Sequence, residues 1–175
     1  MYFPLVDEIV ITAGFGGSLL TDTETIRIYK NGTLSQSSCP LPDYPLNVFG
    51  AAGSIYSFQS KESKIIICGG GGYNSKTNKC YKFNPSTWAW DEVKPMKNGR
   101  SHHVMTTMSD GTIMTCGGLN ASGILGTTKS CEKFNGNWER IAPLPKPLFG
   151  NCLVYFNATT TVSIGGGDGH KVKES

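Results

Sequence analysis

The chain has 175 residues, 22 of them glycine and 9 proline, with a net charge of +3 and 17% charged side chains. No apolar run approaches the roughly 20 residues of a membrane helix, and lysines and arginines are scattered singly. Neither a membrane span nor an electrostatic nucleic-acid footprint is therefore expected. Glycine, proline or Ser/Thr clusters break almost every twelve-residue window, which excludes long helices and leaves an all-β chain.

Residues 1–8 show neither the basic start nor the apolar stretch of a secretory signal. The first expected strand is Glu8 to Thr12, followed by Thr12-Ala13-Gly14. In a second unit, strands are expected near Ala52–Phe58, at Lys64–Cys68, at Lys79–Phe83 and at Trp88–Val93. A third unit places them at His102–Met108, Thr112–Cys116, Cys131–Phe134 and Trp138–Ile141. Its Asp110-Gly111 pair predicts a type I′ hairpin turn, because that turn needs two positive φ angles. A fourth unit begins a strand at Cys152 and stops after Thr161–Ile164.

The units repeat. Gly69-Gly70, Gly117-Gly118 and Gly165-Gly166 each end a short apolar strand, and they are spaced by 48 residues. Lys82-Phe83-Asn84 returns as Lys133-Phe134-Asn135, with Ile28-Tyr29-Lys30-Asn31 as a first version. Trp90 follows Phe83 and Trp138 follows Phe134, and then a proline turn closes the unit: Pro40-Leu41-Pro42, Pro95-Met96 and Pro143-Leu144-Pro145.

This combination resembles the kelch repeat. The fullest copy is Ile65-Ile66-Ile67-Cys68-Gly69-Gly70, Tyr81-Lys82-Phe83-Asn84-Pro85, Trp90, Pro95-Met96 and Arg100-Ser101-His102. The resemblance implies a kelch-type β-propeller of about 3.6 four-stranded blades, incomplete as a ring. One segment, 1–175, would hold blade parts at about 7–42, 50–96, 101–145 and 150–166. The paired glycines would admit close backbone approach, and Phe83, Phe134, Trp90 and Trp138 would press one blade on the next. The remaining blades would lie in a longer parent chain or in another copy.

Of six cysteines, Cys68 and Cys116 share one repeat position and Cys80 and Cys131 another. The two positions face each other across a hairpin, within disulfide reach. Counted back from Tyr29, the first unit has Thr12 and Ile26 there, so both cysteines are missing together. Bridges Cys68–Cys80 and Cys116–Cys131 are expected, with four free buried thiols as the alternative. Cys39 and Cys152 have no assigned partner. Bridges imply an extracellular or secretory setting, with the cytoplasm as the alternative. Sequons at Asn31, Asn120 and Asn157 fall in expected loops and would suit glycosylation.

No catalytic constellation emerges. The histidines are His102, His103 and His170, and no Ser–His–acid triad can be assembled from them. Gly69 to Tyr73 lacks the Lys-Ser/Thr ending of a phosphate loop, and Asp168 alone cannot build a calcium shell. No metal or cofactor is expected. The reading is a non-catalytic module presenting loops to a protein or glycan, with Tyr73, Asn74, Arg100, His103 and Phe149 as candidate contacts. Two alternatives are a fragment of a galactose-oxidase-like propeller enzyme and a kelch substrate-adaptor segment of a ubiquitin ligase.

Overall fold

A computed structural model describes residues 8–29, 31–36, 41–58, 63–72, 75–120, 126–157 and 160–169. Every named element is a strand, and each strand pairs antiparallel with its neighbour in sequence, so the chain is a series of meanders. The first sheet holds β1 (Glu8–Phe15), β2 (Leu19–Ile28) and β3 (Leu34–Gln36). The second holds β4 (Phe49–Tyr56), β5 (Lys64–Gly71), β6 (Cys80–Asn84) and β7 (Ala89–Val93). The third holds β8 (Val104–Thr107), β9 (Ile113–Cys116), β10 (Cys131–Phe134) and β11 (Trp138–Ile141). The fourth is the hairpin β12 (Cys152–Asn157) and β13 (Thr160–Ile164). These sheets are propeller blades in an open array. Their first strands β4, β8 and β12 lie side by side on the inner edge. In the first blade β1 lies against β4 instead.

Three apolar layers hold successive blades together. Tyr44 and Val48 pack with Ile67 and Tyr81 between the first and second blades. Ile66, Cys68, Cys80 and Met96 meet Ile113, Phe134 and Trp138 between the second and third. Met114, Cys116 and Cys131 meet Leu153 between the third and fourth. The alternation of a strand accounts for this: even-numbered side chains of β5 face the following blade and odd-numbered ones the preceding blade. Trp90 and Trp138 also satisfy their ring N–H groups on the preceding side. Trp90 donates to the Pro42 carbonyl at 2.8 Å and Trp138 to the Lys94 carbonyl at 2.9 Å.

The paired glycines explain the tightness of these joints. The second glycine donates its N–H to the next blade: Gly70 to the Arg100 carbonyl at 2.8 Å and Gly118 to the Leu148 carbonyl at 2.7 Å. Gly14 does the same to Val48 at 3.0 Å. In the second and third blades the first glycine has no room for a side chain. A Cβ on Gly69 would lie 2.5 Å from the Arg100 carbonyl oxygen, and one on Gly117 would lie 2.4 Å from that of Leu148.

Cys68 pairs directly with Cys80, and Cys116 with Cys131, and both pairs are disulfide-bonded with Cα–Cα distances of 4.1 and 4.2 Å. The first blade corrects one sequence-based correspondence. Thr12 faces Thr23, not Ile26, and the two hydroxyls share a hydrogen bond of 2.6 Å. The ten-residue β2 carries the chain past the position where the other blades turn, so Tyr29 is not the counterpart of Phe83. The turn after β8 also differs from expectation. Only Gly111 has positive φ, at 78°, and its N–H donates to the Met108 carbonyl. This is a turn closed by one left-handed glycine rather than type I′. Asp110 accepts from the Thr112 N–H and hydroxyl instead. Cys152 is a free, exposed thiol, and Cys39 lies outside the described residues.

Candidate functional site

The loops between second and third strands meet the connections that lead from one blade to the next. Met96 N–H bonds to the Asn78 carbonyl, Arg100 N–H to Thr77, Leu144 N–H to Lys129 and Leu148 N–H to Thr128. The described parts of loops 71–78 and 119–129 therefore share one side of the array with connections 94–100 and 142–150.

The Arg100 side chain does not reach the surface there. Its side chain is wholly buried and joins the second blade to the third. Nη2 meets Glu132 Oε1 at 2.6 Å, and Nη1 donates to the Gly117 and Ser130 carbonyls at 3.0 Å each. Glu132 uses its other oxygen to accept from the Lys97 N–H at 2.7 Å. Burial pulls the guanidinium below its usual range, and the Glu132 charge and hydrogen bond act against that pull. The pair fixes the connection 97–100 onto the neighbouring blade.

His103 is also turned inward. It lies between the paired glycines of two blades: its Cε1 is 2.6 Å from where a Gly69 Cβ would stand, and its own Cβ 2.7 Å from that of Gly118. Neither ring nitrogen has a hydrogen-bond partner among the described residues. Burial, then the charges of Arg100 and His102, push its pKa down to about 3. The ring is thus neutral when folded and titrates near 6.5 when unfolded. The resulting stability is complete above pH 6.5 and is lost as the pH falls from there towards 3, by up to about 1.4 kcal/mol per pH unit. Urea midpoints at pH 7 and pH 4.5 should therefore differ more in the native chain than in His103→Gln. His102 shifts the same way through partial burial and Lys76, so it belongs to both sides of that comparison. Equal pH dependence of the two chains would overturn the assignment.

The sequence-based candidates leave out a second group on this side, of which Phe15 is exposed and Phe49, His102 and Lys76 are half-buried. His102 has φ of 51°, in line with Gly50 at 65° and Gly150 at 62° ahead of the inner strands of the adjacent blades. Its N–H donates to the Gly50 carbonyl at 2.7 Å and its carbonyl accepts from Gly150 at 2.8 Å. That twist sends the His102 ring out against Phe49, edge to face at 5.5 Å. Phe15 lies 6.3 Å from Phe49, and Lys76 Nζ stands 5.9 Å over the Phe49 ring. The group brings together four segments: the end of β1, the second-blade loop, the first residue of β4 and the connection before β8. Of the four, only Phe49 and His102 carried a signal: His102 occupies, and Phe49 precedes, a positive-φ position that is glycine in the second and fourth blades.

Phe149 is half-buried and packs on Gly167 of its own blade, with a bridge between the two backbones. Tyr73 and Asn74 lie outside the described residues. Asn31, Asn120 and Asn157 are all exposed, and Asn31 Oδ1 accepts from the Thr33 N–H and hydroxyl at 3.0 and 2.7 Å. Among the described residues no group of three or more His, Cys, Asp or Glu side chains could hold a metal ion, and no helix is long and apolar enough to cross a membrane.

Comparison with known proteins agrees with this architecture. The kelch motif family model matches residues 60–97. Kelch-like protein 40 from Xenopus tropicalis is 29% identical over 126 residues, covering 70% of this chain and 19% of that protein, and its Xenopus laevis counterpart matches equally. Kelch-like protein 36 from Mus musculus is 25% identical over 106 residues, covering 58% of this chain and 17% of its own length. The chain thus spans less than a fifth of the length of these relatives. The motif match and these relatives show a kelch motif in residues 60–97 and a likeness to kelch-like proteins over more than half of the chain, in keeping with the register of glycines, aromatics and four-stranded blades.

Proposed function

We propose that this chain is a non-catalytic protein-interaction module, and that its binding side is the loop side around Phe15, Phe49, His102 and Lys76. One observation carries the reading. Phe15, at the end of β1, is 55% exposed beside a second aromatic ring and a cation, next to loops that differ from blade to blade above a repeated scaffold. Exposed rings beside variable loops are where binding energy concentrates. The test is selection from a displayed peptide or domain library on the immobilised chain. Phe15→Ala should weaken the selected clones about tenfold while leaving thermal unfolding unchanged. Clones insensitive to Phe15 and His102 substitution would rule this surface out. A glycan array run in parallel tests the other partner class.

The fourth blade supports a further part of the reading, that more blades pack beyond it. Gly69, Gly70, Gly117 and Gly118 are buried, whereas Gly165 and Gly166 are exposed. Val154, Phe156, Val162 and Ile164 are open on the face that the other blades cover. Such a blade would come from a longer parent chain or another copy. Light scattering of the chain alone should show association through this face, and Phe156→Ser should reduce it.

The two disulfides favour an oxidising compartment, extracellular or secretory, in which Asn31, Asn120 and Asn157 could be glycosylated. A cytoplasmic chain would keep those four thiols reduced. A non-reducing peptide map of the natively produced protein separates the two settings.

A further inference from the structure

We infer that the partner segment bound on this side is an acidic peptide carrying an apolar side chain next to its carboxylates. The inference rests on the interaction reading above and adds the chemistry of the partner. Its basis is an imbalance of charge. Lys76, Lys97, Lys129 and Lys146 all stand on the loops and connections of this side, and none forms a salt bridge among the described residues. The acidic side chains on the same segments are Asp43 and Asp168 alone.

On the strands and opposite turns several basic groups are compensated. Lys79 meets Glu92 at 3.4 Å and Lys133 meets Asp110 at 3.1 Å. Lys82 is paired across the ladder with Asp91, and Lys133 with Glu139. The modest net charge of +3 therefore conceals one side with uncompensated lysines. Such a side raises the encounter rate with anionic partners and disfavours basic ones.

The aromatic geometry selects among anions. A nucleic acid binds such platforms by stacking bases on free ring faces. Here Lys76 covers a face of Phe49, His102 stands at an edge-to-face angle of 73°, and Phe15 is tilted by 59°. That arrangement offers an angular apolar notch with a cation at its rim. A carboxylate can reach Lys76 while a neighbouring leucine or phenylalanine packs on the exposed Phe15 ring beside Phe49.

The test uses the 175-residue chain and fluorescence anisotropy. Three fluorescein-labelled 15-residue peptides share the same leucines and phenylalanines and differ only in carrying Glu/Asp, Lys or Ser/Asn between them. A 15-nucleotide oligo-dT is the fourth probe. The acidic peptide should bind about tenfold more tightly than the basic one, and its affinity should fall between low and physiological salt. Lys76→Glu should remove most of that preference, with Lys129→Glu/Lys146→Glu as an independent second variant. Both leave exposed or half-exposed positions, and circular dichroism checks the fold. Equal binding of the neutral or basic peptide overturns the inference, as does tighter binding of oligo-dT or indifference to both charge reversals. If a neutral peptide binds and Phe15→Ala releases it, the partner chemistry falls and the interaction reading stands. If no peptide binds and no displayed clone depends on Phe15, both fall.

Discussion

Replacing Gly117 by alanine is expected to destabilise the chain by about 3–5 kcal/mol, and replacing Gly165 by only about 1–2 kcal/mol. The two glycines share a repeat position and a backbone conformation, with φ of 69° and 70°. The cost of forcing an alanine into the left-handed region is therefore common to both. The surroundings differ. A Cβ on Gly117 would stand 2.4 Å from the Leu148 carbonyl oxygen, whereas one on Gly165 meets no described atom within 4 Å. Leu148 cannot retreat without breaking its hydrogen bonds to Gly118 and Thr128, so the clash must open the joint between the third and fourth blades. Urea unfolding of the two variants measures the difference directly. Failure of Gly117→Ala to yield folded protein has the same meaning, provided Gly165→Ala folds. Equal losses would show that backbone conformation alone, and not the approach of the next blade, requires these glycines.

Arg100→Met should cost about 3–5 kcal/mol, because it strands the buried Glu132 carboxylate with one backbone N–H as its remaining partner. The double replacement Arg100→Met/Glu132→Leu should recover at least half of that loss. It removes both charges from a site where neither is exposed, although the Gly117 and Ser130 carbonyls and the Lys97 N–H lose their partners. A double-mutant cycle by urea titration gives the coupling. If the single and double variants are equally unstable, Arg100 acts through its carbonyl contacts and packing, not through the ion pair. Peptide binding by a folded double variant should be unchanged, since neither group reaches the loop surface.

The scaffold was largely legible in the residues. Paired glycines, aromatics and paired cysteines mark positions where one strand must meet another, and a strand's two-residue alternation turns spacing into facing. The first blade was read less well. Its threonines form the same cross-strand pair through hydroxyls, and no cysteine marks the register, so a count back from Tyr29 fell three residues out. The site was harder. Arg100 and His103 look like ligand-binding residues because of their chemistry, yet both face a neighbouring blade. His102, one residue from His103, points the other way because of a single positive φ. Composition cannot distinguish adjacent histidines on opposite sides of a backbone. Phe15, Phe49 and Lys76 are far apart in sequence and have no common motif, so only the folded chain brings them together.

The carbonyls that receive the N–H groups of Gly14, Gly70 and Gly118 belong to Val48, Arg100 and Leu148, two aliphatic residues and one charged one at the same place in successive connections. Alignment between neighbouring blades is therefore written in main-chain atoms, indifferent to the side chain that happens to occupy the receiving position. Residues on the connecting segments can diverge without loss of that alignment, provided each fits its own local packing. A lineage built on such a frame can change what it recognises one loop at a time, and a designer could graft a loop from one blade onto another with the same freedom.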